Sequence, residues 1–348
     1  MPESTLSPLF TCTLATTASR GAIISFSIFI ASKTTSTSPF FTFWPAETFT
    51  LTMVPGIGEF TVSAPAGTGA AAGAGAAAGA GAAAAEYNLD FTFEGPEKEE
   101  DYETQNRMIR EAVERGAEAL VISAVDYNAN AEAVDQAAKK GLQIVVIDSD
   151  VNSSGVVSRI GTNNDAAGEM AARALLDGEE EVLHVGIVNY DVNSANGQQR
   201  EEGFRRVIQE SPRVADITTI NVISTTEDAR IGTEKLLKEH PEINAIVTFN
   251  EWTSLGVGWA IRGQGLADAT RVVAFDSNVV NVGMLETGEV DALIVQNPYA
   301  MGYLGVEAAY RLLNGQKVTA VTDTDTVVVT RENMYDEACQ RILFTFEE

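Results

Sequence analysis

Cysteine and histidine are nearly missing from this chain: each occurs only twice in 348 residues. Cys12 and Cys339 cannot build a disulfide framework, and an all-cysteine zinc site needs four thiolates. His184 and His240 leave little room for His-dependent metal chemistry, so neither a metal nor a cofactor is expected. Basic charge is scarce too, with 23 Lys+Arg against 49 Asp+Glu and a net charge of −26. Affinity for nucleic acid rests on neutralising phosphates with Lys and Arg, so no such partner is expected. An anionic membrane surface is disfavoured by the same repulsion. Phosphate-loop, HExxH and GxSxG patterns are absent, and no Ser-His-Asp or Cys-His pairing is plausible. Nothing in the residues points to bond making, and no enzyme is expected. What is present is enough for a core: 45% of residues are hydrophobic and 21% charged, and the length suits two domains.

The composition changes near residue 85. Residues 1–85 carry only Glu3, Arg20, Lys33, Glu47 and Glu59 as charges, so nearly all of the negative charge lies beyond them. Ser and Thr fill 22 of the first 63 positions without a sustained period, and 19 of the 20 residues 66–85 are Ala or Gly. A run with so little side-chain volume is not expected to build a packed core. Its alanines favour helix, while each of its six glycines costs about 1 kcal/mol there. Residues 22–31 (AIISFSIFIA) have the length of a signal-peptide apolar region, with Arg20 ahead. They begin far into the chain, however, and Glu3 sits where positive charge belongs. Ten residues are also too few to span a bilayer, and Cys12 after Leu9-Phe10-Thr11 is a poor lipid-attachment site. Residues 1–85 are therefore expected to be an atypical or mis-assigned N-terminus, disordered or not native.

From residue 86 onward short apolar runs alternate with amphipathic stretches. The pattern predicts strands over 87–93, 119–124, 143–147, 156–160, 181–188, 217–223, 244–249, 271–275 and 291–295. It predicts helices over 101–115, 128–140, 163–176, 195–210, 227–239, 251–263, 279–286 and 298–313. Arg115-Gly116 and Lys139-Lys140-Gly141 supply basic last turns followed by glycine, and Pro241 stops the helix before it. Ile144-Val145-Val146-Ile147 reads as a strand covered on both faces. The fold class is α/β, with two doubly wound parallel sheets.

In such sheets ligands bind beyond the carboxyl ends of the strands. The residues that follow the apolar runs are Asp126, Asp148 with Ser149, Asn189, Asn250, Asp276 and Gln296, and Arg200 lies early in the helix after Asn189. Carboxylates, amides and one guanidinium suit a neutral polyol, whose hydroxyls donate and accept at once. Phe249, Phe275, Trp252 and Trp259 are candidates for the apolar faces against which a sugar ring packs. Each polar residue taken singly reads equally well as a helix N-cap or turn residue. The set is harder to explain that way, since caps need no particular mix of acid, amide and Arg. His184, within an apolar strand, reads as a buried, hydrogen-bonded side chain, and Trp259 as core.

With these residues assembled, 86–348 resembles a type I periplasmic binding protein of the ribose/galactose group, the sugar-capturing component of ABC importers. The resemblance is carried by 115–126 (RGAEALVISAVD), 141–150 (GLQIVVIDSD), 200–204 (REEGF), 249–256 (FNEWTSLG), 274–276 (AFD) and 295–302 (VQNPYAMG), in family order. It implies that Asp148 and Arg200 hydrogen-bond sugar hydroxyls, that Asn250, Asp276 and Gln296 do so from the second lobe, and that Phe275 neighbours the ring. Asp126, Ser149, Asn189 and Trp252 are further candidates. It implies chain crossings near 161–163, 296–297 and 325, with lobe one at 86–162 plus 297–325 and lobe two at 163–296 plus 326–348. It also implies a monomeric, extracytoplasmic protein that serves an ABC permease or, less often, a sensor kinase or chemoreceptor. A LacI-type sensor shares the fold but needs a basic helix-turn-helix ahead of it, which one Arg and one Lys in residues 1–85 do not supply.

Two features depart from the family. Ser149 stands where ribose-like members carry Arg. The family also opens with a strand, an aromatic loop and a helix, and here the Ala/Gly tract takes that place. Ser38-Pro39-Phe40-Phe41 is similar to the aromatic loop but lies too far ahead of Tyr87. The expectation is that the first βα unit is missing or replaced, leaving lobe one without a central strand. The chain would then be a truncated relative lacking a competent site.

Overall fold

The structure, a computed structural model, describes residues 23–27, 71–96 and 101–343. The chain first forms β1 (Ile23–Ser27), α1 (Ala71–Glu86), β2 (Asp90–Glu94), α2 (Tyr102–Glu114), β3 (Ala119–Ile122), α3 (Ala131–Lys139), β4 (Gln143–Ile147) and β5 (Val156–Gly161). It continues through α4 (Asn164–Leu176), β6 (Leu183–Asn189), α5 (Ala195–Ile208), β7 (Val214–Asn221), α6 (Thr226–Glu239), β8 (Ala245–Thr248), α7 (Glu251–Gln264), β9 (Arg271–Phe275), α8 (Val279–Thr287) and β10 (Ala292–Val295). It ends with α9 (Pro298–Leu313), β11 (Val321–Asp323), β12 (Val327–Thr330) and α10 (Glu337–Leu343).

Two six-stranded sheets result, in the orders β11-β5-β4-β3-β1-β2 and β12-β10-β9-β8-β6-β7. The described pairings are parallel except that of β10 with β12. Helix α4 follows β5 of the first sheet but packs on β9 and β10 of the second, and α9 follows β10 but packs on β3, β4 and β5 of the first. The chain therefore passes between the two units at 162–163, 296–297 and 324–326. Apolar continuity in the strands matches burial on both faces. In β4, Ile144 and Val146 join one core cluster while Val145 and Ile147 join the other. Such burial is worth about 25 cal/mol per Å² of apolar surface removed from water.

The first βα unit corrects the sequence reading. Strand β1 lies between β3 and β2, parallel to both. The Ala/Gly tract supplies α1 over residues 71–86 and packs along α9. Ala76, Ala80, Ala83 and Ala84 are buried there, and Tyr87 stacks on Tyr310 with ring centroids 4.5 Å apart. Small volume, read above as an obstacle to packing, is what permits this contact: two helices that come close exclude side chains between them. A Cβ on Gly302 of α9 would overlap the carbonyl oxygen of Ala76, and one on Gly79 of α1 would overlap that of Tyr299. The second unit repeats the device, with Gly168 of α4 against the Arg200 carbonyl and Gly203 of α5 against that of Asp165. Gly168 and Gly302 are each the fifth residue of their helix, and Gly79 and Gly203 each the ninth. The remainder of residues 1–70, with Cys12 and Ser38–Phe41, lies outside the described residues.

If the Ala/Gly tract is a working helix, crowding its seam has a measurable cost. Gly302→Val should lower unfolding free energy by about 3 kcal/mol, the upper range for overpacking, in chemical denaturation. Gly81→Ala, whose Cβ meets nothing within 4 Å, should be neutral or stabilising by up to about 1 kcal/mol through helix propensity.

Candidate functional site

Two aspartates mark the mouths of the sheets. Asp148 follows β4 and Asp276 follows β9, each the third strand of its sheet in the orders given above. Both adopt left-handed backbone, with φ of 54° and 68°, a conformation that Asp and Asn tolerate better than other non-glycine residues. In both the backbone N–H donates to the neighbouring strand at 3.0 Å, Asp148 to Ile160 and Asp276 to Ile294. One local conformation thus turns a carboxylate out at equivalent places in the two units. Ser123 Oγ donates to Asp148 Oδ2 at 3.1 Å, and the Ser149 N–H donates to Ser123 Oγ at 3.4 Å.

Arg200, 1% exposed, reaches the mouth of the second sheet from α5. Its Nε donates to Asn164 Oδ1 at 2.8 Å, Nη1 to the Phe249 carbonyl at 2.6 Å and Nη2 to Gln296 Oε1 at 2.6 Å. The guanidinium lies 4.8 Å from the centre of the Phe275 ring, within cation–π range. Gln296 passes the interaction on: its Nε2 donates to Asp276 Oδ1 at 2.6 Å, while its oxygen also accepts from Thr162 Oγ1 at 2.7 Å. All these partners of Arg200 are neutral, so its positive charge is answered at longer range.

Asp276 supplies part of that answer at a cost to itself. Burial raises its carboxyl above the usual range, and the negative charge of Asp148 on the opposite mouth adds to the rise. Arg200, Gln296 and the backbone N–H of Glu251 pull it back without cancelling the effect of desolvation. The two carboxylates are therefore within electrostatic reach across the gap between the units. The loops beyond β3 and β6 also meet there, where the Tyr127 N–H donates to the Asn193 carbonyl at 3.4 Å.

Asp148, Arg200, Asp276 and Gln296 converge, with Ser149 buried beside Asp148. Other candidates do different work. The polar atoms of Asn189 are engaged internally: Oδ1 accepts from the Tyr190 N–H, and Nδ2 donates to Glu201 Oε2 and the Gly197 carbonyl. Asn250 caps α7 in a reciprocal box with Thr253, and its Nδ2 donates to Ser224 Oγ at 2.7 Å. Asp126 Oδ1 accepts from the N–H groups of Asn128 and Ala129, closing the turn before α3. Phe275 is fully buried, edge-on to Phe249 at 5.8 Å and beneath Arg200; it braces the guanidinium where a ring-facing role was implied. Trp252 is half-buried in the first turn of α7. Trp259, read as core, is 38% exposed with Arg262 stacked over it at 4.9 Å. His184 is half-buried and paired with Asp216 at 2.7 Å. Sequence reasoning missed Thr162 and Asn164. The residues after the run 156–160 were the ones left unread at a strand end, and they lead directly to Thr162.

The raised carboxyl of Asp276 has a definite sign. A group protonated more readily in the folded than in the unfolded chain favours folding at low pH, and that contribution fades as pH rises through its folded-state pKa. Ionised Asp276 thus burdens the ligand-free fold at neutral pH. Asp276→Asn should be more stable than wild type at pH 7, on the order of 1 kcal/mol. Its advantage should shrink as pH falls toward the carboxylate range, as read by thermal melts across pH.

The family model of a periplasmic binding protein domain matches residues 61–317. A ribose import binding protein of Bacillus subtilis is 27% identical over 218 residues, 63% of this chain and 70% of that protein. A D-ribose/D-allose-binding protein of Pseudomonas aeruginosa is 28% identical over 249 residues, 68% and 75% of the two chains. Among solved structures, a carbohydrate transporter solute binding protein from Agrobacterium radiobacter, in complex with D-arabinose, superposes with a TM-score of 0.76 at 28% identity, covering 78% of this chain and 94% of that one. An ABC transporter solute binding protein from Agrobacterium vitis shares the fold at 24% identity, with a TM-score of 0.78 over 93% of this chain and all of the other. The chain, with two parallel sheets joined by three passages, belongs to the periplasmic binding protein family and has its type I fold.

Proposed function

We propose that the protein is an extracytoplasmic solute-binding protein that captures a neutral, monosaccharide-like ligand between two lobes for ABC import, by binding and not by turnover. The observation that carries this reading is the pair Asp148 and Asp276, displayed by the same left-handed backbone at matching strand ends and close enough to raise the Asp276 carboxyl. Two facing carboxylates beside one guanidinium call for a guest rich in donors that also accepts, which describes a polyol. An anionic guest would meet two like charges. The relatives support the same class: two are ribose-binding by name, and one solved neighbour holds D-arabinose.

In this reading lobe one comprises 86–162 and 297–325 together with the first βα unit, and lobe two comprises 163–296 and 326–348. Asp148 and Ser149 serve from lobe one; Arg200, Asp276 and Gln296 serve from lobe two. The chain acts as a monomer and hands its ligand to an ABC permease. Location outside the cytoplasm follows from the import role named for the relatives. Among the described residues no helix is long and apolar enough to cross a membrane.

Calorimetric titration with a panel of neutral monosaccharides, D-ribose and D-arabinose included, tests the assignment. At least one should bind and, at a hundredfold excess over its Kd, stabilise the fold by about 2.7 kcal/mol. Asp148→Asn keeps a residue suited to left-handed backbone and should weaken binding by about 10–100-fold while leaving the ligand-free Tm nearly unchanged. Binding of acidic sugars or phosphates in place of neutral ones would overturn the reading.

A further inference from the structure

Two of the three passages between the units meet at the functional site. Thr162 is the first residue after β5 and Gln296 the first after β10, so they hold matching places in the two units. Both are buried, and the Thr162 hydroxyl donates to the Gln296 oxygen at 2.7 Å. A terminal amide can be turned over, exchanging oxygen for nitrogen, and its orientation is set only by what surrounds it. Here Oε1 faces two donors, Arg200 and Thr162, while Nε2 faces the Asp276 carboxylate. Arg200 belongs to the second unit, as Asp276 does. Thr162 is the donor that reaches Gln296 from the first sheet's last central strand. Rotation of the units about 162–163 and 296–297 would alter the Thr162–Gln296 separation before it altered the contacts within the second unit.

We propose that Thr162 is a positioning residue: its hydroxyl, bonded to Gln296 in the closed arrangement, holds the amide so that Nε2 serves Asp276, and this couples closure of the hinge to ligand capture. The inference rests on the solute-binding reading above and adds to it a residue that touches no ligand. The groups facing Asp276 are Arg200 from α5, Asp148 from the end of β4, Gln296 from the second passage and Glu251 from the first turn of α7. The Glu251 carboxylate itself accepts from Asn278 Nδ2 at 3.0 Å.

The test uses the full chain with Thr162→Val, which keeps shape and loses the hydroxyl, and Thr162→Ser, which keeps the hydroxyl. In the first arm, without ligand, the pH dependence of stability owed to Asp276 is isolated by comparing each protein with its own Asp276→Asn derivative. Thr162→Val should move the Asp276 midpoint upward, because a loosened amide holds the anion less well, and Thr162→Ser should leave it in place. In the second arm, with a neutral sugar that binds wild type, Thr162→Val should weaken affinity about tenfold, and Thr162→Ser should stay within about threefold of wild type. An unmoved midpoint in Thr162→Val, or a Thr162→Ser protein that behaves like Thr162→Val, would overturn the proposal, the latter by assigning the effect to the methyl group. A moved midpoint with unchanged affinity would overturn the coupling to capture. If wild type binds no neutral sugar, the functional reading fails, while the first arm still decides the role of the hydroxyl.

Discussion

A guanidinium removed from water is tolerated only where its donors and its charge are both answered, and the second unit is arranged around answering Arg200. The cause begins in the packing of α4 on α5. Gly168 leaves room for the backbone of Arg200, and Gly203 leaves room for that of Asp165, so the two helices approach closely. That approach brings Asn164, at the start of α4, to the Nε of Arg200 and lets the guanidinium lie on Phe275. Donors that would cost several kcal/mol if left bare in the interior end on an amide oxygen, a strand-end carbonyl and Gln296. The charge is answered by Asp276, through Gln296 and through space. Removal of any member leaves the others exposed to the desolvation they were built to offset.

That arrangement is incomplete when the site is empty. Asp276 is buried with its carboxyl raised, and Asp148 faces it from the other unit. Two left-handed aspartates each cost about 1 kcal/mol of backbone strain. Neither feature improves the fold. Natural proteins break local rules of this kind at binding sites, where the strain is relieved by what binds. Hydroxyl donors placed between the two carboxylates would reduce their mutual repulsion and restore hydrogen bonds that burial withheld, which makes the instability of the ligand-free site a source of selectivity.

Legibility in the sequence followed physical contrast. Beyond residue 86 the apolar runs, basic last turns and glycine stops mark strands and helices because each element has one face or end unlike the other. The Ala/Gly tract has no such contrast. Its burial depends on smallness meeting the smallness of α9, a pairing visible only in three dimensions, and β1 is five residues long within a Ser/Thr-rich stretch. At the site, Asp148, Arg200, Asp276 and Gln296 were readable as acids, amides and an arginine at strand ends. Asn189, Asn250 and Asp126 were equally readable there, yet they satisfy orphan backbone groups and neighbouring side chains, because the residue types that bind hydroxyls also cap helices. Thr162 escaped notice because a threonine after Gly161 carries no charge and no amide.

The direct polar contacts between the two mouths are slight. The bond from Tyr127 to Asn193 is long at 3.4 Å, and that from Thr162 to Gln296 lies at the pivot, where leverage is least. Contacts of this size are worth about 1 kcal/mol each and do not by themselves fix one relative placement of the units. A ligand shifts such an equilibrium only by the difference in its affinity for the two arrangements. One that touched Asp276 and Arg200 alone would bind both equally and move nothing. A guest that must also reach Asp148 gains its last hydrogen bonds only when the units are together, so the division of the site between two sheets is itself the reason that binding and closure are a single event.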